Sequence, residues 1–265
     1  MTMTPFTRLG LVVLGSVVAA TAFAQGAFAQ WPAYPSPVVP KTADGKPDVT
    51  GPAPRTADGK PDFSGYWNLP YFPNMAQNKE AEVPYAPEGL AAFKNHDAKD
   101  DPTSLCLYPG VPRIMSSPYP MQIIQTRDYV AMLFEYMHLW RAIPTDHRPH
   151  PTNLQPSFMG DSVGWWEGDT FVIDTIGLNA RTWLDTAGHQ HSDQLHVTER
   201  LTRTPETLVL DFTVDDPPMY SKTWNHRRVI KPLAQRPGLP MLLEYSCNEN
   251  NKDIQHLIST KPEQR

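Results

Sequence analysis

Proline restricts this chain more than any other residue. It fills 29 of 265 positions, about 11% against an ordinary share of about 5%. Each one fixes φ, removes a backbone donor, and ends a helix or interrupts a central strand. Long helices and parallel sheets with helical crossovers are poor solutions for such a chain, whereas short strands joined by stiff loops suit it. From residue 121 onwards apolar and polar residues alternate with the period of two that marks half-buried strands. The pattern predicts strands at Gln122–Thr126, Tyr129–Ile143, Ser162–Trp166, Thr170–Ile176, Leu195–Thr202, Thr207–Asp215, Tyr220–Ile230 and Met241–Cys247. Glu167-Gly168-Asp169 is a hairpin turn, and one short helix starts near Pro87. The fold class is therefore all-β: an antiparallel β-barrel or sandwich of about eight strands, with one short helix and an extended N-terminal segment.

The first residues read as an address. Arg8 precedes an apolar run from Leu9 to Ala24, and small-x-small sites follow at Ala22-Phe23-Ala24 and Ala27-Phe28-Ala29. That is the form of a secretory signal peptide, with cleavage expected after Ala29 and export to the periplasm. A membrane anchor is the alternative, but the run is short for a span and no charged flank stops it. No later stretch is long and apolar enough to span a bilayer, so no membrane span is expected after cleavage. The expected organisation is signal peptide 1–29, Pro/Gly-rich segment 30–60, one β-domain 61–258 and tail 259–265. Between residues 30 and about 65, Lys41–Asp48 recurs almost unchanged as Arg55–Asp62, two copies with Asp-Gly turns. The formal charge of −5 and the absence of a basic run give no footprint for nucleic acid. In an oxidising compartment the two cysteines, Cys106 and Cys247, are expected to pair.

The chemistry-bearing residues crowd into 179–200. His189 and His191 share one side of an extended segment, a spacing that offers two imidazoles to a divalent transition metal. A solvated His-rich loop is the competing reading. On the strand from Leu195 to Leu201, Glu199 shares a face with Leu195, Val197 and Leu201. A carboxylate on an apolar wall must be paired, or must become a candidate general acid or base. His196 beside it and Glu135, which shares a face with Ala131 and Leu133, complete the candidate catalytic set. The alternative for Glu199 is an internal ion pair with Arg141 or Arg181. Trp166, Trp183, Tyr220 and Trp224, with Arg181 and Asp185, are the candidate ligand-lining side chains. There is no GxSxG, P-loop, GxGxxG, HExxH or CxxC motif.

The phrases PDFSGYW (61–67), GDSVGWWEGDTFVIDTIGLNARTWLD (160–185), HSDQLHVTERL (191–201) and DDPPMYSKTW (215–224) carry a resemblance. The chain resembles a family of secreted proteins of Gram-negative bacteria that share the PDxSGxW entry and the WEGDTxVxDT and HVTER blocks. The resemblance implies secretion and the domain limits; it implies no particular reaction. The succession of hairpins is also similar to the lipocalin-type calycin barrels, at the level of fold alone. Three functions stay open. One is an enzyme using acid–base or metal-assisted chemistry on a small, partly apolar molecule. The others are a small-molecule binding protein of lipocalin type and an envelope-associated structural protein.

Overall fold

The computed structural model describes residues 40–46, 48–234 and 241–247. The expected signal peptide and the tail 259–265 lie outside the described residues. The strands are β1 Gly65–Asn68, β2 Pro120–Gln125, β3 Tyr129–Phe134, β4 Trp140–Pro144, β5 Asp161–Glu167, β6 Thr170–Ile176, β7 His196–Arg203, β8 Leu208–Asp215 and β9 Trp224–Pro232. They form one sheet in the order β4-β3-β2-β1-β9-β8-β7-β6-β5, every hydrogen-bonded pair antiparallel. The sheet curls into a nearly closed barrel. Antiparallel pairing through nine strands leaves the two edges, β4 and β5, running in the same direction, so the ladder cannot simply close. Side chains and a loop join them instead: Arg141 Nη2 donates to Ser162 Oγ at 3.1 Å, and the His147 N–H to the Gly164 carbonyl at 3.0 Å. A Cβ on Gly164 would lie 2.4 Å from the Phe171 ring and 3.0 Å from Ile143. Only glycine lets the edges come this close.

Alternation decides what faces inward. On β7 and β8 the buried positions are Val197, Glu199, Leu201 and Arg203, and Leu208, Leu210, Phe212 and Val214. With Trp67, Met121, Ile123, Met132, Phe171 and Ile173 they fill the interior, each large apolar side chain contributing about 1.5–3 kcal/mol. The barrel centre is a packed core.

The connections gather at one end. Chain direction puts the ends of β1, β3, β6 and β8 on the same rim, so residues 69–119, 135–139, 177–195 and 216–223 all meet there. Residues 69–86 run across this rim, with Leu69, Met75, Ala76 and Val83 in the core. They are stitched down by Ala86 N–H to Met219 O (2.9 Å) and Ser221 N–H to Pro84 O (2.7 Å). The helix α1 Pro87–Asn95 follows, with proline in its first turn. A Cβ on Gly89 would stand 2.0 Å from the Met219 carbonyl, so glycine is what admits the helix there.

Three details differ from the sequence reading. The expected strand Tyr129–Ile143 is a hairpin, β3 and β4, turned at Glu135–Leu139, with Met137 and His138 in the left-handed region (φ 54° and 51°). No glycine, proline or asparagine marks that turn. Because of it the buried face of β3 is Val130, Met132 and Phe134, and Glu135 sits in the turn rather than on the wall with Ala131 and Leu133. Residues 241–247 form no strand; they make an extended strap. Leu243 N–H donates to Glu135 Oε2 and Tyr245 N–H to His138 Nε2, both at 2.9 Å. The Cys106–Cys247 disulfide fastens the strap, as the cysteine count predicts. Both copies of the duplicated segment make the same Asp-Gly turn, and the second is held to the β5–β6 hairpin by Arg55 on Asp169 (2.9 Å). Among the described residues no helix is long and apolar enough to cross a membrane.

Candidate functional site

Glu199 points inward and is fully buried, as the strand alternation predicts. Its neighbour is Arg141, not a histidine. Arg141 Nη1 meets Oε1 at 3.1 Å and Nη2 meets Oε2 at 2.5 Å, with Ser162 and Thr175 hydroxyls accepting from the same Nη2. The pair ties β4 to β7 across the open seam. His196 faces outward to Asp174 (2.5 Å), which also meets His150 (3.0 Å). The bond from Asp174 raises the His196 pKa. His191 is buried between Thr182 Oγ1 (2.7 Å) and the Ser192 carbonyl (2.8 Å). Burial lowers its pKa. Trp166 stacks on Phe63, Trp183 meets His96 edge-on, and Arg181 lies exposed over Phe158. His189 and His191 are not brought together around a common metal position among the described residues. Each imidazole spends both nitrogens on other partners, and among the described residues no group of three or more His, Cys, Asp or Glu is placed to hold a metal ion.

What the fold does bring together lies under residues 69–86. Asp185 is 1% exposed, at a tight turn in the β6–β7 connection. It accepts the N–H of Met75 (2.6 Å), Ala187 (3.0 Å) and His189 (3.2 Å), and meets His189 Nδ1 at 2.7 Å. His189 Nε2 meets Glu80 Oε2 at 3.1 Å, and the Glu80 side chain is 37% exposed. A proton on either imidazole nitrogen thus has a carboxylate acceptor, one buried and one at the surface. Phe93 and Tyr85 stack on the ring, at 4.8 and 6.0 Å, and Trp224 meets its edge at 5.1 Å. Tyr220 stacks on Tyr85 and donates to the Gln190 carbonyl (2.8 Å). Burial, then the Glu80 and Asp185 charges, push the Tyr85 hydroxyl pKa up. Burial likewise raises that of Tyr220.

The floor is β9. His226 and Arg228 point inward with Ile230, both buried. Burial, aided by the Arg228 charge, lowers the His226 pKa to about 3, which leaves its ring neutral at ordinary pH. Burial lowers the Arg228 pKa to about 10, with Asp185 opposing.

Two cavities flank this cluster. One, of about 230 Å³, is lined by Asp185, Arg113, Ser116, Phe72 and the rings of Tyr71, Tyr119, Tyr136 and Tyr245. Arg113 is aimed by Asp101, which it meets at 2.8 and 2.6 Å. Tyr245 is delivered by the disulfide-fastened strap. The other cavity, of about 370 Å³, is lined by Met75, Trp224 and His226. A larger groove of about 640 Å³ runs outside the seam past Tyr108, Tyr129 and Trp140. Its charged side chains are already engaged, Arg141 with Glu199, Arg148 with Asp146 and Asp161 with His150.

Of the residues singled out in the sequence, Asp185, His189, Tyr220 and Trp224 meet in this cluster; Glu199, Glu135, His196, His191, Arg181, Trp166 and Trp183 take other posts. Glu80, Tyr85, Arg113, His226 and Arg228 were missed. For the last two a signal existed: alternation through WNHRRVI sets both on the face of Ile230. Comparison with family models, with curated proteins and with solved structures returned no match.

Proposed function

We propose that this is a secreted protein that takes up a small, partly apolar molecule at the covered end of its barrel. The observation that carries the reading is the joint lining of the two cavities. Asp185 forms part of one and Trp224 with His226 part of the other, and the aromatic-walled His189 touches both Asp185 and Trp224. Ligand pockets are characteristically apolar walls with a few fixed polar groups, and here Asp185, His189 and Arg113 are each oriented by hydrogen bonds. Because the barrel centre is filled, the ligand belongs at the rim, unlike the central ligand of a lipocalin. The disulfide fits an oxidising compartment, and the family resemblance points the same way. The test is a fragment screen by NMR on isotopically labelled protein. Bound fragments are expected to shift the Trp224 indole and the Thr186 and Ala187 amides. Shifts confined to Trp140 and Ala142 in the seam groove, or no shifts at all, would refute it.

A second reading, an acid–base enzyme, is favoured by one observation: the Glu80–His189–Asp185 chain leads from solvent to a cavity wall. Isomerisation, elimination or hydrolysis would draw on such a chain, His189 passing a proton between Asp185 and Glu80. Turnover of any bound compound should then fall by about 10²-fold or more in His189→Gln, with affinity retained. An unchanged rate removes this reading.

A further inference from the structure

Two buried nitrogens in the cluster have nothing to bond. Arg228 Nη2 and His226 Nε2 lack any hydrogen-bond partner, which is unusual for polar atoms removed from water. Arg228 is 0% exposed. Its Nε donates to Ser116 Oγ at 3.2 Å and its Nη1 to the Arg227 carbonyl at 3.0 Å. Its guanidinium lies 3.8 Å over the Phe72 ring and 5.2 Å from that of Phe212. Arg113 and Arg141, buried in the same barrel, each hold a carboxylate, at 2.6 and 2.5 Å. Arg228 holds none among the described residues. Asp185 is the carboxylate whose field reaches it, but the oxygens of Asp185 are taken by three backbone N–H groups and by His189.

The missing partner has a definite chemistry. A guanidinium can only donate, and a neutral imidazole can donate from Nε2, so both orphans are served by one acceptor group. Two residues apart on one face of β9, they stand about 6–7 Å apart along the strand, within reach of a single polyatomic anion. Phe72 and Ser116, which touch Arg228, line the 230 Å³ cavity, and His226 lines the 370 Å³ cavity. The segment above turns at Gln77 and Asn78, both left-handed (φ 50° and 65°) and exposed.

We propose that the molecule bound at this end of the barrel carries an oxyanion, a carboxylate or a phosphate, received by Arg228 with His226 beside it. The inference rests on the small-molecule reading above and names the group that the site selects. Apolar parts of the ligand meet Phe72 and the tyrosines, and the charged end meets the guanidinium.

The experiment compares benzoate, phenyl phosphate and neutral benzamide, each titrated to tens of millimolar into the full protein. Binding is followed through the Arg228 side-chain and His226 ring nitrogen signals by NMR. At least one anion should shift both signals and bind about tenfold or more tightly than benzamide, the worth of one charge-assisted hydrogen bond. Which anion does so separates the carboxylate from the phosphate source. Benzamide binding equally well at the same signals overturns the oxyanion inference and leaves the small-molecule reading standing. No response to any of the three overturns both. Arg228→Met, similar in volume, should lose the anion response while its melting temperature holds or rises, because an uncompensated buried cation has been removed. A lower melting temperature with anion binding kept would make Arg228 merely structural and sink the proposal.

Discussion

Consider Glu199→Gln. The wild-type carboxylate meets Arg141 at 3.1 and 2.5 Å, and the two side chains are 0% and 3% exposed. The amide keeps the volume but turns one oxygen into a donor, which then faces the donors of Arg141. Ser162 and Thr175 still accept from Arg141, but hydroxyls do not neutralise a buried cation. Breaking one side of such a pair costs about 3–5 kcal/mol. For a domain of this size, at about 2–4 °C per kcal/mol, the melting temperature should fall by about 6–20 °C.

Removing both charges is a different perturbation. Glu199→Leu with Arg141→Met leaves no stranded ion and should sit within about 1–2 kcal/mol of wild type, on either side of it. Urea denaturation of wild type, each single variant and the double variant closes the cycle and isolates the coupling. Ligand shifts at Trp224 should persist in all of the variants that fold, because the pair ties the seam together and does not touch the cluster under residues 69–86. If Glu199→Gln costs under about 1 kcal/mol, or if the double variant loses as much as the two single variants together, the pair does not hold the seam.

The disulfide, the buried His226 and the close approach at Gly89 each have a measurable consequence. Reducing Cys106–Cys247 should cost about 2–4 kcal/mol in urea denaturation, and the unreduced, denatured protein should titrate no thiol; an unchanged midpoint on reduction would show that the strap is not fastened by the bond. His226, whose folded pKa is about 3 against an ordinary 6.5, takes up a proton in the unfolded chain before it does so in the folded one. Its presence therefore costs nothing above pH 6.5 and progressively destabilises as pH falls from 6.5 towards 3. His226→Phe should flatten that limb of a stability-versus-pH curve, and a parallel curve would contradict the burial argument. Gly89→Ala gains about 1 kcal/mol of helix propensity, yet its Cβ would stand 2.0 Å from a backbone carbonyl. The net effect should be destabilising, with faster proteolysis between β1 and β2; a stabilised variant would mean that α1 is free to shift.

The barrel was legible because its information is local. Period-two alternation named β5 to β8 to within one or two residues at each end, and put Glu199 inside. Where the reading went astray, the cause was a turn without turn residues. Glu135 to Leu139 reverses the chain through two left-handed non-glycine residues, Met137 and His138, so the alternation slipped by one and Glu135 was set on the wrong wall. Met241–Cys247 alternates like a strand, but it is held by Glu135, His138 and a disulfide rather than by a ladder. The candidate site was legible only in part, because it is assembled across the chain. Asp185 and His189 are four positions apart, whereas their partners Met75 and Glu80 lie 110 and 109 positions away. Nothing in the period of a strand reports a distance of that kind.

Arg141 and Arg228 together divide structure from function inside one barrel. Both are inward-facing arginines, 4% and 0% exposed. Arg141 lies where nine antiparallel strands cannot close, and its charge is answered by Glu199 from across the barrel, so every part of the arrangement serves closure. Arg228 lies beneath the rim where the long connections gather. No closure is needed there, and a buried cation without a carboxylate destabilises the fold that carries it. A barrel wall of Met, Ile and Phe would have supported residues 69–86 at lower cost. Arg228 has a neutral His226 beside it, and the oxygens of Asp185 are taken by backbone N–H groups and His189, an arrangement that a second negative charge would complete. The seam carries its anion in the sequence, as Glu199; the rim receives its anion from outside.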